Sequence, residues 1–188
     1  MRFICLCLTF LIAAPAAQAS DDFCHELWYT RNLIVDRTGY CFGSELGQSV
    51  FDNTGCTTGS PALSSADARK VARIRDVEDE MMCSVNTGST RLNFSATAEL
   101  QRLLDLPVPD RIEGGCVGWQ GGARALRAGH DADAAQIGTL NDGDSVSFAH
   151  EPEGDWSYVT IYDGPDDGQA GWVMLAPISE DSCAQWVG

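Results

Sequence analysis

Residues 26–42 read ELWYTRNLIVDRTGYCF, a largely apolar run that stops at a glycine. Leu27 and Ile34 are seven positions apart, which is the spacing of one face of an amphipathic helix. Gly39 is placed to end that helix, because glycine adopts the left-handed conformation that follows many helices. The stretch therefore predicts a helix over residues 22–37.

Two shorter patterns predict further helices. Residues 45–51 suit a short helix that stops at the turn residues 53–55. A third helix should begin at Ser64, where Ser-Ser-Ala-Asp offers a variant of the N-terminal capping box. It should end near Cys83, and its apolar face should consist of Val71, Ile74, Val77 and Met81.

Residues 1–19 have the features of a signal peptide. A positive start precedes the apolar run 3–14, and Ala17-Gln18-Ala19 is a small-x-small cleavage pattern. The run is too short to cross a bilayer core of about 30 Å. We expect an exported chain that begins at Ser20, resides in the periplasm or outside the cell and does not span the membrane.

Six cysteines follow the predicted signal peptide: Cys24, Cys41, Cys56, Cys83, Cys116 and Cys183. An even number in an exported chain indicates disulfide bonds. Metal ligation is the competing interpretation, but no cysteine pair among the six has CxxC spacing, and the chain has only 3 histidines. We predict no metal and no cofactor.

The predicted helices suggest how these cysteines pair. A helix over 24–37 carries the chain about 20 Å, whereas the Cα atoms of a disulfide lie within about 7 Å. Cys24 therefore cannot reach Cys41. Antiparallel packing of the two long helices brings the start of the first beside the end of the other. The expected pairs are Cys24–Cys83, Cys41–Cys56 and, by remainder, Cys116–Cys183.

The chain is strongly acidic. It has 12 basic and 27 acidic residues and a formal net charge of −15, and Lys70 is its single lysine. Nucleic acids and anionic membranes bind clustered positive charge, which this sequence lacks. The composition excludes nucleic-acid binding as a function.

The sequence pattern changes from helical to β-rich along the chain, which predicts an α+β fold. Residues 20–90 carry the helical patterns and should form a small disulfide-stapled domain. Residues 91–115 should connect it to the next part, with a short helix within 95–104. Residues 116–188 show short β-rich runs separated by Gly- and Asp-rich turns, which is typical of a small barrel or sandwich.

The second part resembles the bacterial SH3 domain. LRAG at 126–129, IGTLNDGDSV at 137–146, GDWSYV at 154–159 and GWV at 171–173 follow the order of that family's motifs. The opening motif lacks its usual proline. The resemblance covers about residues 123–178 and implies a C-terminal SH3-like β-barrel, a fold used to recognise peptides and the cell wall.

The first part is similar to the YARHG domain. The run at 27–42 matches its pattern at Trp28, Tyr29, Arg31, Asn32, Ile34, Arg37, Gly39, Tyr40 and Phe42. The signature itself is altered at Val35, Asp36 and Thr38. The resemblance covers about residues 22–83. It implies an exported bacterial domain and transfers no activity.

Two groups of side chains are candidate binding residues. Arg31 and Arg37 form a polar cluster with the aromatics of the first helix. The predicted strands carry an aromatic set that suits a peptide groove: Trp156, Tyr158, Tyr162 and Trp172. The alternative is structural, with the arginines paired to acids such as Glu26 and Asp36 and at least two aromatics in the core.

No catalytic constellation is evident. Cys24 and His25 are adjacent, so on a helix their side chains point about 100° apart. Neither a GxSxG elbow nor an HExxH motif occurs. His130 and His150 fall in predicted loops. An acidic turn offers oxygen ligands for Ca²⁺ but not with EF-hand spacing, and solvated turns explain it equally well: Asp163, Asp166 and Asp167.

These features favour a non-enzymatic binding or interaction protein of the bacterial envelope. Its expected partner is a cell-wall peptide or another protein, bound through the SH3-like part. One alternative is an envelope enzyme that acts on the cell wall, or its accessory, with catalytic residues that no motif identifies. The other is an inhibitor of an exported hydrolase.

Overall fold

The computed structural model describes residues 21–164, 168–175 and 180–188. Its helices are α1 (Asp21–Asp36), α2 (Glu45–Phe51), α3 (Ser65–Glu80) and α4 (Thr97–Gln101). Its strands are β1 (Pro109–Trp119), β2 (Arg124–Arg127), β3 (Gln136–Leu140), β4 (Ser145–His150), β5 (Trp156–Asp163), β6 (Ala170–Met174) and β7 (Cys183–Val187). The α+β prediction is confirmed. The predicted signal peptide lies outside the described residues.

Helix α1 forms where its pattern predicts. Asp21 and Asp22 occupy its first turn, where carboxylates interact favourably with the positive end of the helix dipole. Leu27 and Ile34 are buried on one face. The chain leaves the helix through Gly39, whose φ of 78° is a left-handed conformation that suits glycine.

The two other predicted helices of the N-terminal part are confirmed, and each begins at a serine cap. The Ser44 hydroxyl accepts a hydrogen bond from the Gly47 amide at the start of α2. Ser64 does the same for Asp67 at the start of α3. Helix α3 buries Val71, Ile74 and Val77 in the core that it shares with α1.

Three disulfide bonds hold the fold, and they are the pairs expected from the packing of the helices. Cys24–Cys83, Cys41–Cys56 and Cys116–Cys183 have Cα separations of 5.3, 5.1 and 5.5 Å. The first joins the start of α1 to the chain just after α3. The last joins β1 to β7, so it fixes the C-terminal strand to the sheet.

The strands form one antiparallel sheet in the order β3-β2-β6-β5-β4-β1-β7. Strands β3 and β7 are its two edges, and no pairing between them is found in the described part of the chain. The sheet is therefore open, and the prediction of a closed β-barrel is wrong. The reason is that β1 pairs with both β4 and β7, which extends the sheet beyond the SH3-like motifs.

The helical part and the sheet share a hydrophobic core. Leu27 and Ile74 from the helices belong to the same buried cluster as Tyr158 and Trp172 from the sheet. A second cluster fills the opposite face of the sheet and includes the Cys116–Cys183 disulfide. Because one face of the sheet is covered by helices, a groove forms along the line where the two parts meet. None of the described helices is long and apolar enough to cross a membrane.

Candidate functional site

A groove of 510 Å³ lies where the helical part meets the sheet. Its walls come from α1, from α4 and the segment that leads into it, and from strands β1, β4, β5 and β6. The side chains that define its chemistry are Glu26, Phe94, Glu99, Glu113, His150 and Tyr162. Two further openings continue it, one of 610 Å³ towards Asp22 and the other of 400 Å³ towards Val187. The result is an elongated surface channel.

The strand register directs side chains into this groove. Successive residues of a strand point to opposite faces, so Tyr158, Thr160 and Tyr162 of β5 share one face. All three line the groove, whereas Val159 and Ile161 pack in the core on the other side. One face of β5 therefore supplies much of the floor.

Glu26 of α1 is fixed by a contact with the sheet. Its Oε1 atom lies 2.8 Å from Nε2 of His150. The His150 side chain is 7 % exposed, and its ring packs edge-on against Tyr158 at a centroid distance of 4.8 Å. His150 ends β4, so the prediction that it lies in a loop is wrong. The pair connects the helical part to the sheet across the groove.

A second carboxylate is positioned on the sheet itself. The Ser147 hydroxyl of β4 donates a hydrogen bond of 2.9 Å to Oε1 of Glu113 on β1. Glu99 adds a third carboxylate from α4. Among the described lining residues of the groove and its two openings there is no lysine or arginine. The groove is therefore acidic along its length.

The two predicted tyrosines have different roles in the groove. Tyr158 is 3 % exposed, and burial, followed by the nearby charge of Glu26, raises the pKa of its phenol. No hydrogen bond between described residues uses the Tyr158 hydroxyl. Tyr162 also lines the groove and is 46 % exposed, so its ring is accessible to a ligand.

The two predicted tryptophans lie elsewhere. Trp172 is fully buried, and its indole N–H donates a hydrogen bond of 2.7 Å to the carbonyl oxygen of Asp105. Trp156 is half-buried and lines a separate shallow depression with Arg124 and Met174. The four aromatic candidates therefore do not form one continuous binding surface.

Arg31 and Arg37 make internal contacts and do not line the groove. Arg31 forms a double hydrogen bond with Glu78 of α3, with Nε 3.0 Å from Oε2, so its partner is an acid, as expected, but neither Glu26 nor Asp36. Arg37 donates to the carbonyl oxygen of Leu103 at 2.8 Å. Burial lowers the pKa of its guanidinium.

Two models of known families match the chain. A family model described as a domain of unknown function, DUF4453, matches residues 82–188. The chain belongs to the DUF4453 family. In front of this match, a YARHG domain model matches residues 4–79, in agreement with the resemblance of the first helix. No significant match was found among curated proteins or solved structures.

The YARHG match indicates the cellular compartment of the protein. YARHG domains are typical of exported proteins, and the three disulfides fit an oxidising compartment. The DUF4453 match covers all seven strands and most of the groove. Glu26 comes from the YARHG match instead, so the groove is built by both matched regions.

Several groove residues carry no signal in the sequence. Glu26 and Glu99 are acids among the 27 of the chain, and Glu113 falls in the predicted connecting segment. Only the pairing of β1 with β4 brings Glu113 to Ser147. Alternation along β5 is the one pattern that could have indicated Tyr158 and Tyr162 together.

The described residues contain no group of three or more His, Cys, Asp or Glu side chains arranged to hold a metal ion. Of the acidic turn considered for Ca²⁺, Asp163 is the exposed last residue of β5. Asp166 and Asp167 lie outside the described residues.

The contribution of the contact between Arg31 and Glu78 to the stability of the fold can be measured. Because both side chains are mostly buried, Arg31→Met should lower the free energy of unfolding by about 1 to 2 kcal/mol, between the values for exposed and buried pairs. A double-mutant cycle with Glu78→Gln, followed by urea unfolding, should return a coupling of similar size. A coupling near zero would contradict a structural role for Arg31.

Alkaline unfolding reports on Tyr158. Its folded-state pKa is raised above the unfolded value of about 10, so the protonated phenol favours the folded state. This contribution is complete below about pH 10 and is lost as the pH rises towards the folded pKa, at up to about 1.4 kcal/mol per pH unit. Tyr158→Phe should flatten this fall in urea unfolding measured between about pH 9 and pH 11. Tyr29, whose pKa burial also raises, should leave a residual slope. Equal slopes in wild type and variant would contradict the assignment.

Proposed function

We propose that this protein is a non-enzymatic binding protein of the bacterial envelope, exported by its N-terminal segment, which recognises a cell-wall or protein ligand through its C-terminal part. The SH3-like character of residues 123–178 belongs to this proposal. It is supported by the family-like motifs, which fall on and around β2, β3, β5 and β6.

The observation that carries the proposal is the groove. It is elongated, it is lined by β4 and β5 of the motif-bearing region, and it offers the exposed ring of Tyr162 beside fixed carboxylates. Exposed aromatic rings flanked by positioned polar groups are typical of ligand sites. Both matched regions contribute to it, which gives the YARHG part a role in binding.

The contacts of His150 argue against the enzyme alternative. A histidine base needs a nucleophile or a substrate proton within hydrogen-bond reach. Among the described residues, Glu26 is the hydrogen-bond partner of the His150 ring, and no hydroxyl or thiol contacts either ring nitrogen. The six cysteines of the mature chain are all in disulfides, so none is a free thiolate.

A pull-down on purified peptidoglycan, with zymography in parallel, tests the proposal. A cell-wall ligand would retain the chain without clearing of the layer, and a protein ligand would leave it unretained and the layer intact. Tyr162→Ala should weaken retention about tenfold, as expected for loss of an aromatic contact. Met174→Ala is the matched control, because Met174 is equally exposed at 46 % but lies outside the groove.

Other outcomes of the pull-down and zymography would contradict parts of the proposal. Clearing of the layer that is lost in His150→Gln would contradict a non-enzymatic role. Retention that Tyr162→Ala and Met174→Ala weaken equally would contradict the groove as the binding site. Absence of retention would exclude the cell wall and leave a protein ligand, to be sought among exported hydrolases and other envelope proteins.

A further inference from the structure

The charge of the groove narrows the ligand class. Its lining carries carboxylates from three different elements, namely Glu26 on α1, Glu99 on α4 and Glu113 on β1. Asp22 extends this set at the α1 end. No lysine or arginine is among the described lining residues, so carboxylates predominate along the groove, although the charge of Arg102 also reaches Tyr158. Such a surface attracts cations and repels ligands with free carboxylates.

We infer that the groove binds an extended basic segment of a protein partner, one that presents lysine or arginine side chains. This inference rests on the proposed binding function and selects a protein ligand over a cell-wall peptide. Stem peptides of the cell wall carry free carboxylates of their own, which Glu26, Glu99 and Glu113 would repel.

The aromatic groups of the groove suit the same ligand. Tyr162 is 46 % exposed and Phe94 lines the opposite wall. Their rings can pack against the aliphatic stems of lysine and arginine and interact with the cationic heads.

The ends of the groove favour an extended chain over a small cation. One opening reaches Val187 and Gly188 at the end of β7, which is an edge strand of the sheet. The other reaches Asp22 at the start of α1. An edge strand offers backbone groups that a peptide in extended conformation can pair with, whereas a small polyamine cannot.

The test uses the mature chain and three probes in fluorescence anisotropy. The first is a labelled peptide that alternates lysine and valine, and the second is the same peptide with glutamate in place of lysine. The third is a labelled soluble fragment of peptidoglycan. We expect binding of the lysine peptide, weakened by added salt, and no binding of the other two.

A matched pair of variants separates the groove from the overall charge of the protein. Glu99→Gln/Glu113→Gln should weaken the lysine peptide about tenfold, from the loss of two charge contacts. Glu45→Gln/Asp79→Asn removes the same charge from exposed positions on α2 and α3 and should bind like wild type. Thermal unfolding of both variants checks that each is folded.

Three results would overturn the inference. Equal weakening in both double variants would show attraction to the net charge alone. Binding of the glutamate peptide as tight as that of the lysine peptide would remove the charge selectivity. Binding of the peptidoglycan fragment without the lysine peptide would refute a basic ligand while leaving the proposed envelope-binding function in place.

Discussion

Replacing Trp172 with alanine is expected to lower the free energy of unfolding by about 3 to 5 kcal/mol, the usual cost of removing a buried tryptophan. Trp172 is fully buried in the core that the helices and the sheet share. Its ring packs edge-on against Tyr158 and His130, at centroid distances of 5.8 and 5.4 Å. The variant also removes the donor to the Asp105 carbonyl and so leaves that oxygen without this hydrogen bond.

Urea unfolding followed by far-ultraviolet circular dichroism measures this effect without relying on tryptophan fluorescence. Trp186→Ala is the control, because Trp186 lies on the edge strand β7 and is 40 % exposed. It should cost less than about 1 kcal/mol. A loss in Trp172→Ala no larger than that of the control would contradict the shared core.

The second large effect is expected from the disulfide between α1 and the end of α3. Cys24→Ala/Cys83→Ala opens a bond that spans 59 residues, and the chain-entropy relation gives a loss of about 4 kcal/mol. The bond joins the two long helices that form the walls of the N-terminal core. Its loss should therefore also widen the groove, because Glu26 is close to Cys24 on α1.

The short disulfide provides the comparison. Cys41→Ala/Cys56→Ala opens a bond that spans 15 residues, for which the same relation gives about 3 kcal/mol. Thermal and urea unfolding under non-reducing conditions should thus rank the two variants, with the long-loop variant less stable. If the Cys24/Cys83 variant were as stable as wild type, that bond would not hold the helices together.

The elements with strong local signals were predictable from sequence. Helix α1 follows from its apolar repeat and Gly39, and α2 and α3 follow from their patterns and caps. The short strands of the C-terminal part follow from alternation and turn residues, and the pairing of the cysteines follows from the lengths of the helices. Each of these rests on contacts within about one element of the chain or on its end-to-end length.

Strand β1 shows why the open sheet was missed. Its centre reads Glu113-Gly114-Gly115, and glycine and charged residues are poor strand formers. The strand exists because β4 and β7 pair with it on both sides, and β7 lies near the end of the chain. Such long-range pairing leaves no periodic pattern in the sequence.

The acidic residues of the groove were missed for the same reason. Glu26, Glu99 and Glu113 are distant in sequence and meet only when the helices pack on the sheet. Arg31 illustrates the reverse error, because sequence proximity suggested Glu26 or Asp36 as its partner. The facing helix α3 supplies Glu78 instead.

The most direct test of the account is to map where a ligand binds. Amide chemical shifts of nitrogen-15-labelled residues 20–188 should be followed while the lysine peptide or the soluble peptidoglycan fragment, whichever binds, is added. We predict that the largest shifts surround the groove, at Glu113, Ser147 and Tyr162, and extend to Glu26 on α1. Largest shifts around Arg124, Trp156 and Met174, on the other depression, would contradict the groove as the binding site.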